Sequence, residues 1–232
     1  SGLSLPDRDY YFDKELDTTR LKFVDYAAKM FAFIGFDSAK ARQAAVANMQ
    51  LETALAKASR KIEDTRDPYK NYNKMPLASL LKSSAQFNWT VYFAEAGLQN
   101  VDTVIVGQPE FLTAMNGLLK STSLDVLKNY LKLQLVNAYA KYLGDKPFMD
   151  AFAFFSQELN GVKAPKPRWK RAVEETNGYL GELIGQVYVK EYLPEGTKEK
   201  LLEIGKAIQD VYAERIKNLD WMSPETKEKA LH

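Results

Sequence analysis

The sequence has 232 residues, enough for one large domain or two small ones. Apolar side chains make up 46% of it, aromatic ones 12% and charged ones 27%, which is typical of a globular protein with an ample core. Thirty-two basic residues against 30 acidic ones leave a net charge of +2, and no block of like charge indicates a nucleic-acid or membrane-surface partner. Cysteine is absent, which excludes disulfides, thiolate metal sites and cysteine nucleophiles.

The sequence contains neither a membrane-spanning run nor a recognisable secretory leader. No apolar run approaches the roughly 20 residues needed to span a bilayer. Nor does a basic stretch followed by an apolar one open the chain, as it would in a secretory leader. The lack of cysteine fits either the cytosol or export from a bacterium. If the protein is exported, we expect its targeting segment to lie outside this sequence.

Helical periodicity dominates the first third of the sequence. Apolar residues spaced by three and four predict a first helix that begins after Asp17 and Thr18, a plausible cap, and ends near Gly35. Asp37 is a suitable N-cap for a second, alanine-rich helix, which we expect to run to about Arg66. Because a proline disfavours helical backbone in the residue before it, Pro68 should stop this second helix.

Shorter elements are predicted in the middle of the sequence. A tyrosine- and asparagine-rich connection leads to a short helix begun by Pro76. Thr103–Val106 is the one credible extended stretch, because its β-branched residues are bounded by glycine and proline. A strongly amphipathic helix should start after Ser123, and a further helix should end at residues 160–161, Asn-Gly. The apolar side of the amphipathic helix is expected to comprise Leu124, Leu127, Leu131, Leu135, Ala138 and Tyr142.

Three more helices are predicted in the last third: one follows the stiff connection 164–169 and runs to about Tyr192, one spans about 197–219, and one begins at Ser223. The chain has no internal repeat and no low-complexity linker. We therefore predict an all-α fold, multi-helical, with at most one or two short extended segments. We expect residues 1–232 to form a single helical domain.

Three glycines recur at spacings of three and four within the predicted helix that ends near Tyr192. They are Gly178, Gly181 and Gly185. Each mid-helix glycine costs about 1 kcal/mol relative to alanine, so three on one face require a reason. We interpret them as a place where a neighbouring helix approaches closely.

Histidine and cysteine, which carry much of the hydrolytic chemistry of proteins, are nearly absent. His232 is the one histidine, and as the last residue it is interpreted as a flexible end rather than a ligand. A zinc-protease helix needs two histidines one turn apart in an H-E-x-x-H motif, so this sequence cannot contain one. Serine–histidine and cysteine–histidine nucleophilic systems are excluded for the same reason.

Three weaker motifs receive structural interpretations. Glu174 and Glu175 would point about 100° apart on a helix, which indicates a solvated face rather than an acid–base pair. The run 88–90, Asn-Trp-Thr, matches the glycosylation acceptor pattern, a match that occurs often by chance. The run 137–139, Asn-Ala-Tyr, is interpreted as part of the amphipathic helix. We therefore predict no catalytic, cofactor-binding or metal-binding residue in this chain.

Six short stretches follow one another between residues 5 and 231. They are LPDRDYY (5–11), ETALAKAS (52–59), RDPYKNYNKM (66–75), PRWKRAVE (167–174), GQVYVKEY (185–192) and LDWMSPETKEKAL (219–231). In this order they resemble the neprilysin family of zinc metallopeptidases, which includes endothelin-converting enzyme and bacterial oligopeptidases. Each stretch alone is weak evidence for the family, but together the stretches are spread over essentially the whole chain.

The resemblance implies that the sequence is a fragment of a larger two-lobed metallopeptidase. Members of the family enclose a chamber between two mostly helical lobes, and one lobe binds zinc through H-E-x-x-H and a downstream glutamate. This sequence resembles the other lobe, a helical lid, so the catalytic lobe is expected C-terminal to residue 232. The longer protein is then expected to be a zinc-dependent endopeptidase that hydrolyses oligopeptides. The segment alone is expected to bind no catalytic zinc and to hydrolyse nothing.

The same resemblance implies the partners and the location of the protein. The partners are the catalytic lobe of the same polypeptide and oligopeptide substrates, with no nucleic acid and no membrane-spanning segment. By roofing the chamber the lid would admit peptides and reject folded proteins, and opening of the two lobes would gate access. Export to the periplasm or cell surface of a bacterium is expected from the family.

Departures from the family pattern leave alternatives open. Arg60 stands where members often carry tryptophan, and Ala172 stands where animal members have a disulfide cysteine; both suggest a bacterial relative. The run 137–139 is not matched to the family's substrate-binding Asn-Ala-Tyr/Phe motif, which belongs to the catalytic lobe. A free-standing helical interaction module, or a relative that lost its metal ligands, remains possible from the sequence.

Overall fold

The computed structural model of the chain describes residues 2–231, and helices account for most of that range. The helices are α1 (Asp17–Phe33), α2 (Ser38–Ala58), α3 (Pro68–Asn71), α4 (Leu77–Ser83), α5 (Trp89–Glu95), α6 (Pro109–Ser121), α7 (Leu124–Tyr139), α8 (Asp145–Ala151), α9 (Arg168–Tyr192), α10 (Thr197–Asn218) and α11 (Pro224–Leu231). Within the described range, β1 (Asn73–Pro76) and β2 (Thr103–Val106) form the only sheet, which is antiparallel. The all-α prediction is therefore confirmed.

The chain divides into two compact units, Ser1–Pro165 and Lys166–His232. The first unit contains α1–α8 and the sheet, and the second contains α9–α11. The expectation of a single helical domain over residues 1–232 stays a prediction, because this division concerns only the packing within each unit. Among the described residues, no helix combines the length and the apolarity that crossing a bilayer requires.

The first unit is centred on the packed pair α1 and α2. Between them Gly35 has φ +97°, a backbone conformation that residues with a side chain rarely adopt. The Asp37 side chain then caps α2, as predicted, by accepting a hydrogen bond from the Lys40 amide at 2.9 Å. The core face of α2 is built largely from small side chains, which suits close packing of helices. These are Ala41, Ala44, Ala45 and Ala56.

An aromatic cluster joins α1 to the segment that follows α8. Phe152–Glu158 continues α8 as a π-helix, a wide helical form that is rare in proteins. The Phe154 ring stacks on Tyr26 with centroids 5.5 Å apart, and its centroid lies 5.5 Å from that of Phe23. All three side chains are buried in the core. The helix ends at Gly161, whose φ is +67°, so the predicted Asn-Gly end is confirmed.

A buried carboxylate, Glu52, joins the N-terminal segment to α2 and α7. Its Oε2 accepts hydrogen bonds from the Ser4 amide at 2.9 Å and the Tyr11 hydroxyl at 2.6 Å. Its Oε1 accepts from Ser4 Oγ at 2.7 Å, Asn48 Nδ2 at 2.9 Å and Gln134 Nε2 at 3.4 Å. The Glu52 side chain is 0% exposed, and none of these donors is a cation. Hydrogen bonds from neutral groups therefore replace its lost hydration.

The Tyr11 hydroxyl remains a donor in this network. Burial raises the pKa of Tyr11 well above its ordinary value, and the charge and hydrogen bond of Glu52 raise it further. The same hydroxyl accepts a hydrogen bond from the Leu5 amide at 3.1 Å. Near the start of the chain, the Tyr130 hydroxyl donates to the Gly2 carbonyl at 2.7 Å. The N-terminal segment is thus fixed to the core through its own backbone.

The prediction that α2 runs to about Arg66 is wrong. The helix ends at Ala58, and the next residue has an extended backbone. Tertiary hydrogen bonds take the place of helical ones here, because the Arg60 amide donates to Gln108 Oε1 at 2.9 Å. Pro68 does not stop α2 but opens the separate short helix α3, for which a proline in the first turn is favourable.

The Arg60 guanidinium fixes the loop after α2 against the start of α6. Its Nε and Nη2 both contact the Glu110 carboxylate, with Nη2 3.1 Å from Oε2. Its Nη1 donates to the Lys70 carbonyl at 3.0 Å and to Asn71 Oδ1 at 3.1 Å. One planar side chain therefore links three segments, a geometry that a lysine could not reproduce.

Strand β1 is an element that the sequence analysis did not predict. It pairs with the predicted strand β2 in the register Asn73↔Val106 and Pro76↔Thr103. Its residues, Asn-Lys-Met-Pro, carry none of the β-branched signal that identified its partner. The Pro76 residue at its end is also the N-cap position of α4, so the predicted helix start there is confirmed.

The predicted apolar side of α7 does not face the core. Three of its four leucines, Leu124, Leu131 and Leu135, are 61–64% exposed, and the fourth, Leu127, is half-buried. Instead, α7 turns Leu133 and Val136 inward. Asn137 lies on the same side, where its Oδ1 accepts a hydrogen bond from the Tyr26 hydroxyl at 2.7 Å. The face that supplies these specific contacts is buried, although it is not the face richest in leucine.

Replacing Glu52 by glutamine should lower the free energy of unfolding by about 2–3 kcal/mol. The glutamine NH₂ group would take the place of one of the two carboxylate oxygens. In either orientation it would face hydrogen-bond donors instead of an acceptor, so those donors would lose their partner. Urea unfolding followed by circular dichroism measures the change. Glu63→Gln, at an exposed position, is the matched control and should change the value by less than about 0.5 kcal/mol. Equal stabilities of the two variants would contradict the role assigned to Glu52.

Replacing Arg60 by alanine should make the loop after α2 several-fold more sensitive to trypsin. The loop offers cleavage sites at Lys61, Arg66 and Lys70, which the guanidinium contacts now hold in place. Arg42→Ala, which removes the single surface ion pair with Asp25, is the control and should leave the loop protected. Identical digestion rates for both variants would show that the loop does not depend on Arg60.

The same substitution should have a pH-dependent effect on stability. The hydrogen bond from Arg60 lowers the pKa of Glu110 below its ordinary value. Such a group stabilises the fold above its unfolded pKa, and this contribution is lost as the pH falls through the lowered folded pKa. The difference in unfolding free energy between the wild type and Arg60→Ala should therefore be full at neutral pH and shrink below about pH 4. Urea titrations at neutral pH and below about pH 4 measure the difference, and an equal difference at the two pH values would contradict the role of Glu110.

Candidate functional site

An apolar groove of about 530 Å³ opens between α2, α6 and α7 in the first unit. Leu51 and Leu55 of α2 contribute its most buried lining and are 7% and 8% exposed. Leu124 and Leu131 of α7 stand at its rim, each 64% exposed. The rest of the lining comprises Gly2, Phe87, Phe111, Met115, Leu118, Leu119, Leu127, Lys128 and Tyr130. We call this feature the apolar groove.

A second concavity of about 510 Å³ lies beside the β-sheet. Leu80 and Val106 are its buried members, and Trp89 and Phe93 come from α5. The Trp89 indole nitrogen donates to Ser84 Oγ at 2.6 Å, which holds the ring in place. No ionisable side chain lines this concavity. It therefore offers space for an apolar group but no acid–base chemistry.

The helices α9 and α10 of the second unit hold no buried residue among those the structure describes. Their exposed large side chains include Trp169, Tyr179, Leu183, Val187, Tyr188, Tyr192, Leu201, Leu202 and Tyr212. Helices normally gain most of their stability by packing an apolar face against something else. An exposed apolar surface of this extent is typical of an interaction surface.

The close helix approach predicted at the glycines of α9 is not found. A Cβ atom built on Gly178, Gly181 or Gly185 would meet no other atom within 4 Å. The interpretation of this spacing as a contact with a neighbouring helix is therefore wrong for the described residues. The glycines lie instead on the exposed helix.

The weaker motifs discussed in the sequence analysis lie apart from one another, and each contributes only to the structure around it. Glu174 forms an ion pair with Lys166 on the exposed surface of the second unit. Asn88 caps α5 by accepting a backbone hydrogen bond at 3.1 Å, and Asn137 belongs to α7. His232 lies outside the described residues. The structure brings none of the described motifs together into one site.

Residues 2–231 contain no group of three or more His, Asp or Glu side chains that could hold a metal ion. The donor set for zinc is therefore not present in the part of the chain that the structure describes. That the chain carries no catalytic or cofactor-binding residue stays a prediction.

Sequence reasoning did not identify Glu52 as an organising residue. The available signal was its position on the apolar face of α2, one turn after Asn48 and between Leu51 and Leu55. Two polar residues four apart on such a face indicate a buried hydrogen-bond network. The donors from Ser4 and Gln134 are distant in sequence, so no local pattern could have revealed them.

Comparison with known proteins places the chain in a family. Residues 1–232 match the model for the N-terminal part of Peptidase family M13. The chain is 30% identical, over 99% of its length, to the endothelin-converting enzyme homolog of Locusta migratoria and to human endothelin-converting enzyme 1. It spans 33% and 31% of those two proteins, about a third of their length.

The fold is also similar to that of the Mycobacterium tuberculosis zinc metalloprotease Zmp1. The TM-score is 0.83 with 29% identity for its open state, and 0.84 with 27% identity for its complex with an inhibitor. All of this chain is covered in both cases, against 36% and 35% of the Zmp1 chain. The resemblance to neprilysin and endothelin-converting enzyme is thereby confirmed, and the chain belongs to Peptidase family M13.

Proposed function

We propose that this chain is the substrate-enclosing helical lobe of a zinc-dependent metalloendopeptidase that hydrolyses oligopeptides. The observation that carries the proposal is the match of residues 1–232 to the family's N-terminal model. Similarity at 29% identity to Zmp1, a zinc metalloprotease, supports zinc chemistry in the longer protein. The role of the lobe is to restrict access to the catalytic chamber.

The catalytic lobe is proposed to follow in the same polypeptide. This chain spans only about a third of its relatives, and its described residues provide no ligand set for zinc. The metal and its ligands then belong to the remaining part of the longer protein. On this proposal the chain alone binds no catalytic zinc and hydrolyses no peptide.

The exposed apolar faces of α9 and α10 are proposed to pack against the rest of the longer protein. Side chains such as Leu183, Val187 and Tyr212 are 61–64% exposed in this chain. Covering them would supply apolar burial worth about 25 cal/mol per Å². This is the association that a lid needs in order to stay with its catalytic lobe.

Movement of the lobe relative to the catalytic lobe is proposed to control access. Zmp1 has been observed in an open state, in a partial open state and in complex with an inhibitor, and this chain matches these with TM-scores of 0.83, 0.76 and 0.84. A lobe that keeps its internal fold while the assembly opens behaves as a rigid body. Such a body would let flexible peptides reach the chamber and exclude folded proteins.

Export from a bacterial cell stays a prediction, which fractionation of the source cells would test.

Peptide hydrolysis tests the proposal directly. The longer protein should cleave quenched fluorescent peptides, a metal chelator should stop it, and added zinc should restore it. This chain alone should release no fluorescence under any of these conditions. A folded protein that contains the same cleavable sequence should resist the longer protein until it is unfolded.

Three results would contradict parts of the proposal. Cleavage by this chain alone would show that it carries its own active site. If the longer protein cleaved no peptide, the alternative function, a helical interaction module, would be the better explanation. Cleavage of the folded substrate as fast as the peptide would rule out a role in restricting access.

A pair of substitutions on α9 tests its packing in the longer protein. Leu183→Glu with Val187→Glu should change the stability of this chain by less than about 0.5 kcal/mol per site, because both side chains are exposed. In the longer protein the same pair should lower the melting temperature and the activity, since it would bury two charges. Lys190→Glu on the same helix is the matched control. No effect in the longer protein would contradict the packing proposed for α9.

A further inference from the structure

The apolar groove combines recessed and raised leucines. Leu51 and Leu55 are nearly buried at its base, while Leu124 and Leu131 stand at its rim with most of their surface exposed. Leu127 lies between these extremes, half-buried on the same helix. A concave apolar surface with raised edges is the shape that receives an apolar side chain from a partner.

The walls of the groove carry positive charge. Helices α6 and α7 together contain three lysines, one aspartate and one glutamate, a net charge of +1, and the described lining of the groove holds a lysine but no carboxylate. Lys128 lines the groove and Lys120 directly follows its Leu119, whereas the Lys132 ammonium lies 5.3 Å from the centroid of the Phe36 ring, which is not part of the lining. Within residues 2–231, no ion pair engages Lys120 or Lys128. These ammonium groups are therefore available to a negatively charged partner.

We propose that the apolar groove docks an acidic amphipathic peptide helix, with leucine-like side chains in the groove and carboxylates beside the lysines. The walls are long enough, because α6 and α7 have 13 and 16 residues and so extend roughly 20 Å and 24 Å. A ligand helix of about three turns would place apolar side chains at positions i, i+3, i+4 and i+7 along this length. Binding requires no zinc and no hydrolysis.

The groove shape favours a peptide over a lipid surface. A membrane-binding helix lays a convex apolar face onto the bilayer, with its apolar side chains projecting outward. Here part of the apolar lining is recessed, and Leu51 and Leu55 could not reach a flat surface. A narrow ligand such as a helix can fill the groove and contact both the base and the rim.

Fluorescence anisotropy with this chain tests the proposal. The probe is a labelled helical peptide with leucine at i, i+3, i+4 and i+7 and glutamate at the remaining positions. We expect saturable binding that weakens at high salt, and a peptide with lysine in place of glutamate should bind at least about 10-fold more weakly. Leu131→Glu and Lys128→Glu should each weaken binding of the acidic peptide by about 10-fold or more.

The controls separate loss of binding from loss of fold. Leu201→Glu, on α10 at 62% exposure, matches Leu131→Glu at 64% and should leave binding unchanged. Circular dichroism should show unchanged melting for both variants, because neither side chain is buried. Lys128→Gln should give an effect between those of the wild type and Lys128→Glu.

Three outcomes would overturn the proposal. The first is no binding of the acidic peptide at about 1 mM, and the second is binding that Leu131→Glu leaves intact. The third is capture of the chain by phosphatidylglycerol vesicles, lost in Leu131→Glu, without binding of the peptide; this would assign the groove to a membrane surface. Because only binding by this chain is measured, failure here is distinguishable from failure of peptide hydrolysis by the longer protein.

Discussion

The first unit depends on one electrostatic requirement, namely that a carboxylate without a cation must find enough hydrogen-bond donors inside the core. Glu52 is fully buried and receives them from Ser4, Tyr11, Asn48 and Gln134. These donors come from the N-terminal segment, from α2 itself and from α7. Because an unmatched buried charge is so costly, the three elements can pack in few ways other than the one observed.

This requirement also accounts for the surface that the first unit leaves open. To present Gln134, α7 must turn the neighbouring Leu133 and Val136 toward the core, and this directs Leu131 and Leu135 outward. The helix thereby leaves its leucine-rich side at the rim of the apolar groove. Specific polar contacts and available apolar surface are thus two results of the same helix orientation.

Long-range polar contacts likewise decide the region after α2. Local sequence favours continued helix through this charged segment, yet Arg60 takes its partners from Gln108 and Glu110 and the helix ends at Ala58. The second unit shows the opposite case. Its helices form where sequence places them, but without a partner their apolar faces remain exposed, including Leu183 and Val187. Such faces agree with the packing against a catalytic lobe that we propose.

The sequence by itself determined the helical class, the cap at Asp37, the strand Thr103–Val106 and the family, because these depend on local propensity and on short ordered motifs. Only the tertiary structure decided which face of α7 is buried, where α2 ends and that β1 exists. Each of these depends on a partner distant in the chain, such as Gln134 for Glu52 or Gln108 for Arg60. A periodic pattern shows that a helix has an apolar side. Which side of α7 is buried depends instead on where its Gln134 can donate to the buried Glu52 carboxylate.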